Sequence, residues 1–448
     1  MQEKNITQLI LFDNIALDPI VQKADALFLR FKSNQGFVAA AYSPADYYDI
    51  QKEMLSLIGR EIVKASYWKN YMCNLIGSSE NVFSLMAENG AFDYIEPDST
   101  IDVLFKVEDA SERSILNLAL EEIKVIRRIY DYDFNALAKS IESETKIAAG
   151  AEAITSIEVS PEIPSRRQDI EDAFNDDDDW HVLRVLTNYY RAHGAGFFEP
   201  FDAFTWDGDF HGVRYADPIT MEDLIGYDNQ KSQLIVNTEF LLRNLPCNNV
   251  LLYGDSGTGK SSSVKALLNK YKNKGLKLIA VSKHKIDEMY KIFDVIKGRG
   301  LKFIIFIDDL SFEENESSFK SFKSIIEGNI NSRLSNAIIC VTSNRRNIIK
   351  EVWKDRDTSD DVHLRDNLQE KRSLSDRFGL TLGYLAPDKK EYLKIVDALA
   401  EKAGIELNKE ALHERALTWE VRHGGRSGRT AKQFVDHLNG LLELEKQV

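Results

Sequence analysis

A glycine-rich segment in the second half of the chain has the residue types and spacing that bind phosphate groups. Residues 249–261 read NVLLYGDSGTGKS, an apolar run that leads into the pattern G-x-x-x-x-G-K-[ST]. The backbone N–H groups of such a loop converge on an anion at the start of the next helix, where the helix dipole is positive. We expect Lys260 to reach the β- and γ-phosphates of a nucleoside triphosphate and Ser261 to bind Mg²⁺. The alternative is a glycine-rich turn that binds no ligand.

The loop and the first turn of the following helix supply the predicted phosphate-binding residues. These are Gly254, Asp255, Ser256, Gly257, Thr258, Gly259, Lys260, Ser261 and Ser262. The three glycines allow backbone conformations that other residues rarely adopt. Residues 250–253 are typical of a buried strand, and residues 262–271 are typical of a helix, so the flanks agree with the loop interpretation.

Two aspartates end another apolar run, FIIFIDD at residues 303–309. Five consecutive apolar residues predict a strand that is buried on both faces. Doubly wound sheets place their ligands at the carboxyl ends of such strands. We therefore expect Asp308 to hold Mg²⁺, directly or through water, and Asp309 to orient or activate the attacking water molecule.

An amide side chain follows the next apolar run. Residues 337–342 read AIICVT and precede Ser343 and Asn344. An amide at this strand end would lie beside the γ-phosphate and could form a hydrogen bond to the attacking water. The alternative is that Asn344 caps a turn, a common role for this residue type.

Helix and strand patterns alternate from residue 220 to residue 386, which predicts a parallel sheet with helices on both faces. The five candidate strands are 250–253, 277–281, 303–307, 337–342 and 380–383. After Pro387 the pattern is helical in three pieces, at 389–403, 409–418 and 427–444. The predicted fold is therefore α/β, a five-stranded parallel P-loop sheet at 220–386 followed by a C-terminal helical lid at 387–448.

The first half of the chain predicts a mostly α-helical N-terminal domain over residues 1–142, where apolar residues recur at spacings of three and four. Residues 143–179 have a mixed composition and end with the run NDDDD. We interpret them as a solvated acidic linker. Residues 180–219 are interpreted as a connecting helix and loop. We find no catalytic constellation in residues 1–142.

Charge is unevenly distributed along the chain, whose formal net charge is −14. The first 218 residues contain 38 Asp and Glu against 20 Lys and Arg. Affinity for nucleic-acid backbones comes from clustered Lys and Arg. The acidic half is therefore not expected to bind nucleic acid broadly, and solubility is the preferred explanation of its charge.

Composition also argues against membrane, disulfide and zinc-dependent classes. No stretch approaches the ~18 consecutive apolar residues of a membrane-spanning helix, and the first residues lack the pattern of a signal peptide. The three cysteines are isolated, which indicates a reducing cytoplasm. The eight histidines are scattered and predict no structural zinc. We expect a cytoplasmic protein without a membrane partner.

The two strands that precede Asp308 and Asn344, downstream of a phosphate loop, together resemble those of the AAA+ ATPases. In that family the asparagine is called sensor 1, and the resemblance implies this role for Asn344. Residues 225–230, IGYDNQ, resemble the segment that packs against adenine. The resemblance therefore implies that the ligand is ATP and that Ile225 and Gly226 contribute to its site.

Two further roles follow from the same resemblance. Residues 373–379, SLSDRFG, resemble the motif that carries the arginine finger, so Arg377 would reach the γ-phosphate of a neighbouring subunit. Residues 425–429, GRSGR, open the last helix, where the family places sensor 2. Arg429 is the first choice for that role and Arg426 the second. The alternatives are a surface salt bridge for Arg377 and a solvated basic turn at 425–429.

The resemblance extends over residues 220–445, about half of the chain. From His193 to Leu380 the sequence is similar, more narrowly, to a family of uncharacterised bacterial AAA+ ATPases known only as a domain of unknown function. This implies a Mg²⁺-dependent ATPase that couples hydrolysis to lid motion and partner remodelling. It also implies a homo-oligomer with the arginine finger in trans. The protein client, which the N-terminal domain would select, is not identified.

Two other functions stay open. Most remodelling AAA+ proteins have Asp-Glu where this chain has Asp308-Asp309, whereas replication initiators and helicase loaders resemble this chain. A DNA-associated loader is therefore an alternative, with basic clusters at 345–346 and 270–277 as candidate contacts. A non-hydrolytic, nucleotide-gated binding protein is the other. The hydrophilic segment 348–369 is either a partner-contacting insertion or a long surface loop.

Overall fold

The chain divides into two compact units, Met1–Pro200 and Phe201–Val448. The structure, a computed structural model, describes residues 6–32, 44–56, 65–94, 105–106, 109–145, 165–214, 216–311, 317–327, 334–344 and 377–446. The predicted segment 348–369 and the basic pair at 345–346 lie outside the described residues. No helix in the described part of the chain is both long enough and apolar enough to cross a membrane.

The first unit is mostly helical, as predicted. Its helices are α1 (Asp13–Ala16), α2 (Pro19–Lys32), α3 (Pro44–Leu55), α4 (Tyr67–Gly77), α5 (Val82–Glu88), α6 (Ala110–Tyr130), α7 (Phe134–Thr145), α8 (Gln168–Phe174) and α9 (Asp179–His193). Two short antiparallel strands, β1 (Asp93–Tyr94) and β2 (Phe105–Lys106), complete it. Helix α6 begins with a capping box between Asp109 and Glu112, which satisfies backbone N–H groups at its first turn.

Large aromatic side chains fill the core of the first unit. Trp68 and Tyr130 are buried, and Nε1 of Trp68 donates to the carbonyl of Ile129 at 2.9 Å. The buried carboxylate of Glu122 accepts the backbone N–H groups of Leu11 at 3.1 Å and Phe12 at 3.0 Å. A buried carboxylate is tolerated only when it is hydrogen-bonded in this way, so Glu122 attaches the N-terminal segment to α6.

The structure differs from the predicted acidic linker at 143–179. Its residues 168–174 form helix α8, in which Ile170 and Phe174 are buried. Arg127 donates to the carbonyl of Phe174 at 2.8 Å and to Asp179 Oδ1 at 2.7 Å, so part of the acidic run is engaged in the fold. A seven-residue helix contains too few apolar positions for a clear helical period, and its stability comes from tertiary burial.

Helix α9, predicted to be a connecting element, also belongs to the first unit. Val182, Leu183 and Leu186 are fully buried in the same core as α4 and α6. The first unit therefore extends to Pro200, well beyond the predicted domain end at residue 142. The prediction of a solvated linker differs from the structure because an acidic residue before a helix can cap its N-terminus. Asp178 does so by accepting the backbone N–H of Trp180.

The second unit combines an α/β core with a helical lid. The core consists of β3 (Ala203–Trp206), β4 (Phe210–Val213), α10 (Asp228–Leu242), β5 (Val250–Gly254), α11 (Lys260–Tyr271), β6 (Leu276–Val281), α12 (Met289–Ile296), β7 (Lys302–Ile307), α13 (Ser317–Glu327), β8 (Ala337–Ser343) and β9 (Leu380–Tyr384). The lid consists of α14 (Lys389–Lys402), α15 (Lys409–Arg422) and α16 (Gly428–Lys446).

The sheet of the second unit has seven strands in the order β4-β3-β6-β7-β8-β5-β9. All five predicted strands are present and parallel. The two additional strands form an antiparallel hairpin, and β3 pairs parallel to β6. The core therefore begins near residue 201, not at residue 220 as predicted. Four-residue strands around a short turn carry too little alternation to be recognised in the sequence.

The three lid helices share a separate small core. It is formed by apolar residues of all three helices: Tyr392, Ile395, Val396, Ala400, Leu412, Ala416, Ala431, Phe434, Val435 and Leu438. Ile225, from the segment before α10, packs against this cluster. The lid is thus a three-helix element that contacts the core segment predicted to bind the base.

Candidate functional site

A tight loop joins the end of β5 to the start of α11. Gly254, Gly257 and Gly259 have φ values of +135°, +76° and +96°. A Cβ atom on Gly254 would lie 2.0 Å from the carbonyl oxygen of Tyr384, so no other residue fits without displacing backbone. These glycines let the loop turn at the N-terminus of a helix, where backbone N–H groups without helical partners attract anions.

Lys260 is the first residue of α11, directly after this loop, and is nearly buried, at 7% exposure. Its Nζ donates to the carbonyls of Gly254 at 2.8 Å and Asp255 at 2.7 Å, and to Asn344 Oδ1 at 3.2 Å. Burial lowers the pKa of Lys260 from its ordinary value, and neighbouring aspartates partly oppose that shift. The ammonium group is therefore held between the loop and the end of β8.

The two aspartates after β7 face the same loop. Ser261 Oγ donates to Asp308 Oδ1 at 2.6 Å. Asn344 Nδ2 donates to Asp309 Oδ1 at 2.8 Å. Because β7, β8 and β5 are parallel neighbours, their carboxyl ends share one edge of the sheet. Residues from three separate strand ends are thereby brought together around the start of α11.

A cavity of about 540 Å³ lies above this edge, between the core and the lid. Its lining includes the predicted residues Ser256, Gly257, Thr258, Gly259, Lys260, Ser261, Ser262, Asp308, Asp309, Asn344, Ile225 and Arg429. Of the residues predicted to bind the nucleotide of their own chain, Gly254, Asp255 and Gly226 are not in this lining. Gly254 and Asp255 instead belong to the loop backbone, and their carbonyls accept from Lys260 Nζ. Gly226 has φ +83° and lies in a bend just before α10.

Several lining residues were not singled out in the sequence. They are Ile219, Asp223, Leu224, Tyr227, Lys231, Ser263, Thr342, Tyr384, Ile395, Leu399, Gly428 and Lys432. Tyr227 stacks on Tyr384 with ring centroids 4.9 Å apart, and its hydroxyl donates to the carbonyl of Leu385 at 2.6 Å. Tyr227 lies within the quoted IGYDNQ segment, which was the available signal. Gly428 lies within the quoted GRSGR segment. The other lid residues, Ile395, Leu399 and Lys432, carried no signal, because only folding brings them to the cavity.

The lid contacts the phosphate loop directly. The backbone N–H of Arg429 donates to the carbonyl of Gly257 at 3.1 Å. A Cβ atom on Gly257 would lie 2.9 Å from Ser427 Oγ, so the approach is close. Arg426 is engaged elsewhere, since its Nε lies 2.7 Å from Glu420 Oε2 within the lid. Of the two arginines considered in the sequence, Arg429 lines the cavity.

Arg377 lies at the other edge of the sheet. Strand β9 is parallel to β5, with Leu380 opposite Val250 and Tyr384 opposite Gly254. Arg377 precedes β9, whereas the phosphate loop follows β5, and a five-residue strand spans about 13 Å. Arg377 is not part of the cavity lining of its own chain.

Residues 199–442 match the family described as protein of unknown function DUF815. The chain belongs to this family. The predicted resemblance to a family known only as a domain of unknown function is confirmed. The predicted α/β fold, with a parallel P-loop sheet, a helical lid and a helical N-terminal region, is confirmed too. No curated protein sequence matches the chain.

Several solved structures are similar to about half of the chain at low sequence identity. The Thermotoga maritima RuvB Holliday junction branch migration motor is 16% identical, with 51% of this chain and 67% of that chain covered and a TM-score of 0.35. A point mutant of Thermotoga maritima RuvB is 18% identical, with coverages of 51% and 68% and a TM-score of 0.37. The FIGL-1 AAA domain in complex with ADP is 20% identical, with coverages of 48% and 70% and a TM-score of 0.35. Similarities this low carry no argument about activity.

Proposed function

We propose that this protein is a Mg²⁺-dependent ATPase of AAA+ type. The observation that carries the proposal is the convergence of Lys260, Ser261, Asp308, Asp309 and Asn344 on one cavity at the carboxyl edge of the sheet. A cation, a hydroxyl, two carboxylates and an amide are the groups needed to hold a metal-bound triphosphate and to orient water. The glycine loop supplies the backbone N–H groups.

Each side chain has a distinct proposed task. Lys260 binds the β- and γ-phosphates, and Ser261 with Asp308 holds Mg²⁺. When bound, the metal ion neutralises charge on the phosphate oxygens. Asp309 and Asn344 orient the attacking water, since their side chains are hydrogen-bonded to each other at 2.8 Å. Orienting the water supplies the positional contribution to catalysis.

Ile225, Leu399 and their apolar neighbours are proposed to enclose the adenine. These side chains line the cavity from the core segment and from α14 of the lid. Nucleotide pockets are largely apolar, with a few polar groups that fix orientation. Because one wall belongs to the lid, nucleotide exchange or hydrolysis is proposed to move the lid against the core.

Arg377 is proposed to act on the site of a neighbouring copy. Its position at the sheet edge away from the phosphate loop of its own chain supports a role in trans. An arginine that stabilises transition-state charge from a second chain requires an oligomer. The helical first unit is proposed to select a protein client, which the motion of the lid would remodel.

The proposal is tested by phosphate release and nucleotide binding. We expect the purified protein to release phosphate from ATP with Mg²⁺, and Lys260→Ala to abolish ATP binding. Lys265→Ala is the matched control, because Lys265 lies on the same helix, is 43% exposed and pairs with Asp217 outside the cavity. ATP binding by Lys260→Ala at wild-type affinity would contradict the proposal. Tight ATP binding without turnover, even in assembled protein, would favour the nucleotide-gated alternative.

The loader alternative has weaker support. In the basic cluster predicted at 270–277, Lys277 is fully buried, and its Nζ donates to the carbonyl of Phe201 at 2.7 Å. A buried ammonium cannot contribute to a phosphate-binding surface. A gel shift with single- and double-stranded DNA at low salt tests the alternative, and absence of binding would remove it.

A further inference from the structure

Thr342, in the penultimate position of β8, joins two strand ends through its hydroxyl group. The residue is 2% exposed. Its Oγ1 donates to Asp308 Oδ1 at 2.5 Å and accepts the backbone N–H of Asp309 at 2.8 Å. Its carbonyl accepts the N–H of Leu310 at 2.8 Å. Three consecutive residues after β7 are therefore held by this one threonine.

These bonds restrict the carboxylate of Asp308. Oδ1 accepts from both Thr342 Oγ1 and Ser261 Oγ. Two donors on one oxygen limit rotation of the carboxyl group, and one of them comes from a buried side chain that water does not readily replace. The orientation of Asp308 toward the phosphate loop thus depends on β8 as well as on β7.

The same hydroxyl holds an unfavourable backbone conformation at Asp309. This residue has φ +49°, in the left-handed region that residues other than glycine rarely adopt. Its N–H is bonded to Thr342 Oγ1, and its carboxylate accepts from Asn344. Such conformations persist where surrounding contacts enforce them. Thr342 supplies one of the contacts that enforce this one.

We propose that Thr342 is a positioning residue for the metal site, acting through Asp308 and Asp309 without touching the nucleotide phosphates. The inference rests on the proposed function. Hydrogen-bond partners of metal-binding side chains typically contribute about 10- to 100-fold to metal affinity. Loss of the Thr342 hydroxyl therefore weakens the Mg²⁺-dependent part of nucleotide binding and spares the part that the phosphate loop provides.

The test measures the affinity for ATP by calorimetry in Mg²⁺ and again in EDTA, for wild type and variants of the full chain. Thr342→Val keeps the side-chain shape and removes the hydroxyl. We expect it to lose about tenfold or more of the affinity gained from Mg²⁺, with affinity in EDTA within about twofold of wild type. Thr342→Ser keeps the hydroxyl and is expected to retain the wild-type gain. Thermal melts check folding, and Thr342→Ala replaces the valine variant should that not fold.

Thr238→Val is the matched control. Thr238 is also buried in the second unit, at 1% exposure, but its hydroxyl donates only to the helix carbonyl of Leu234. A wild-type gain from Mg²⁺ in Thr342→Val, or an equal loss in Thr342→Ser or Thr238→Val, would overturn the inference. A wild-type protein that binds no ATP would overturn the proposed function as well. Failure of the proposed function is therefore seen in the wild type, whereas failure of the inference alone is seen only in the variants.

Discussion

Asn344 donates a hydrogen bond from Nδ2 to Oδ1 of Asp309 over 2.8 Å. The two residues follow neighbouring parallel strands and are 35 positions apart in the chain. The other end of the same amide, Oδ1, lies 3.2 Å from the ammonium of Lys260. Asn344 therefore bridges the phosphate-binding cation and the carboxylate proposed to orient water, which makes it sensitive to changes at either.

The bridge predicts that Asn344→Ala impairs turnover more than binding. We expect kcat to fall by about a hundredfold, the scale of a lost general acid–base contribution, while the affinity for ATP changes only a few-fold. Steady-state phosphate release and nucleotide binding measure the two effects separately. Asn269→Ala is the control, because Asn269 donates only to carbonyls of residues 217 and 219. Equal losses in both variants would contradict the role of Asn344.

A role in trans for Arg377 predicts complementation between two inactive variants. Arg377→Ala is expected to bind ATP normally and to lose about a thousandfold or more in kcat. Lys260→Ala has an empty site but an intact Arg377. Mixing the two proteins is expected to restore part of the turnover, since an intact site would then face an intact arginine.

The effect of Arg377→Ala must be separated from a nonspecific effect of removing an arginine side chain. Arg243→Ala is this control, because Arg243 follows α10 and its side chain is 72% exposed. It is expected to turn over as wild type. Activity of Arg377→Ala at the wild-type level, or an inactive Arg377→Ala that mixing does not rescue, would count against a finger supplied by a second copy.

Asp255 couples the phosphate loop to the start of the lid. Its Oδ2 accepts the backbone N–H of Ala386 at 2.7 Å, just before α14. Asp255→Ala removes this acceptor, which is worth about 1 kcal/mol and corresponds to about fivefold faster local opening. The rate of backbone hydrogen exchange in residues 385–402 measures this local opening. Asp228→Ala is the control, since Asp228 is exposed and pairs with Lys231. Unchanged exchange in Asp255→Ala would contradict the coupling.

The first unit contains a buried ion pair whose disruption is expected to destabilise it. Arg167 Nη2 lies 2.5 Å from Oε2 of Glu199. Glu199 is fully buried, and its other oxygen, Oε1, accepts from the hydroxyl of Tyr189. Glu199→Ala removes the carboxylate that neutralises the buried guanidinium and is expected to lower the free energy of unfolding by about 3–5 kcal/mol. Urea denaturation followed by circular dichroism measures this loss.

Two comparisons make the ion-pair prediction specific. Asp49→Ala breaks the exposed pair between Lys23 and Asp49 and is expected to leave the free energy of unfolding almost unchanged. Replacing both partners, with Arg167→Met and Glu199→Leu together, is expected to cost less than Glu199→Ala, because no buried charge is left alone. A double variant that is less stable than Glu199→Ala would show that the ion pair is not the source of the loss.

Much of the α/β core could be predicted from the sequence because its signals are local. A continuous apolar run specifies a buried parallel strand, and a strand followed by G-x-x-x-x-G-K-S specifies a turn at a helix N-terminus. All five predicted strands are present, and Asp308, Asp309 and Asn344 lie at strand ends beside the loop. The hairpin β3–β4 and helix α8 were missed because short elements show little periodicity.

The sequence by itself determined the chemical groups of the candidate site and the strands that carry them, because both depend on residues close together in the chain. Only the tertiary structure decided which groups meet: that Thr342 holds both aspartates, that Arg429 and not Arg426 lines the cavity, and that Arg377 lies away from it. These relations depend on strand order and on the position of the lid. Both result from packing between residues far apart in the sequence, for which a single chain carries no local signal.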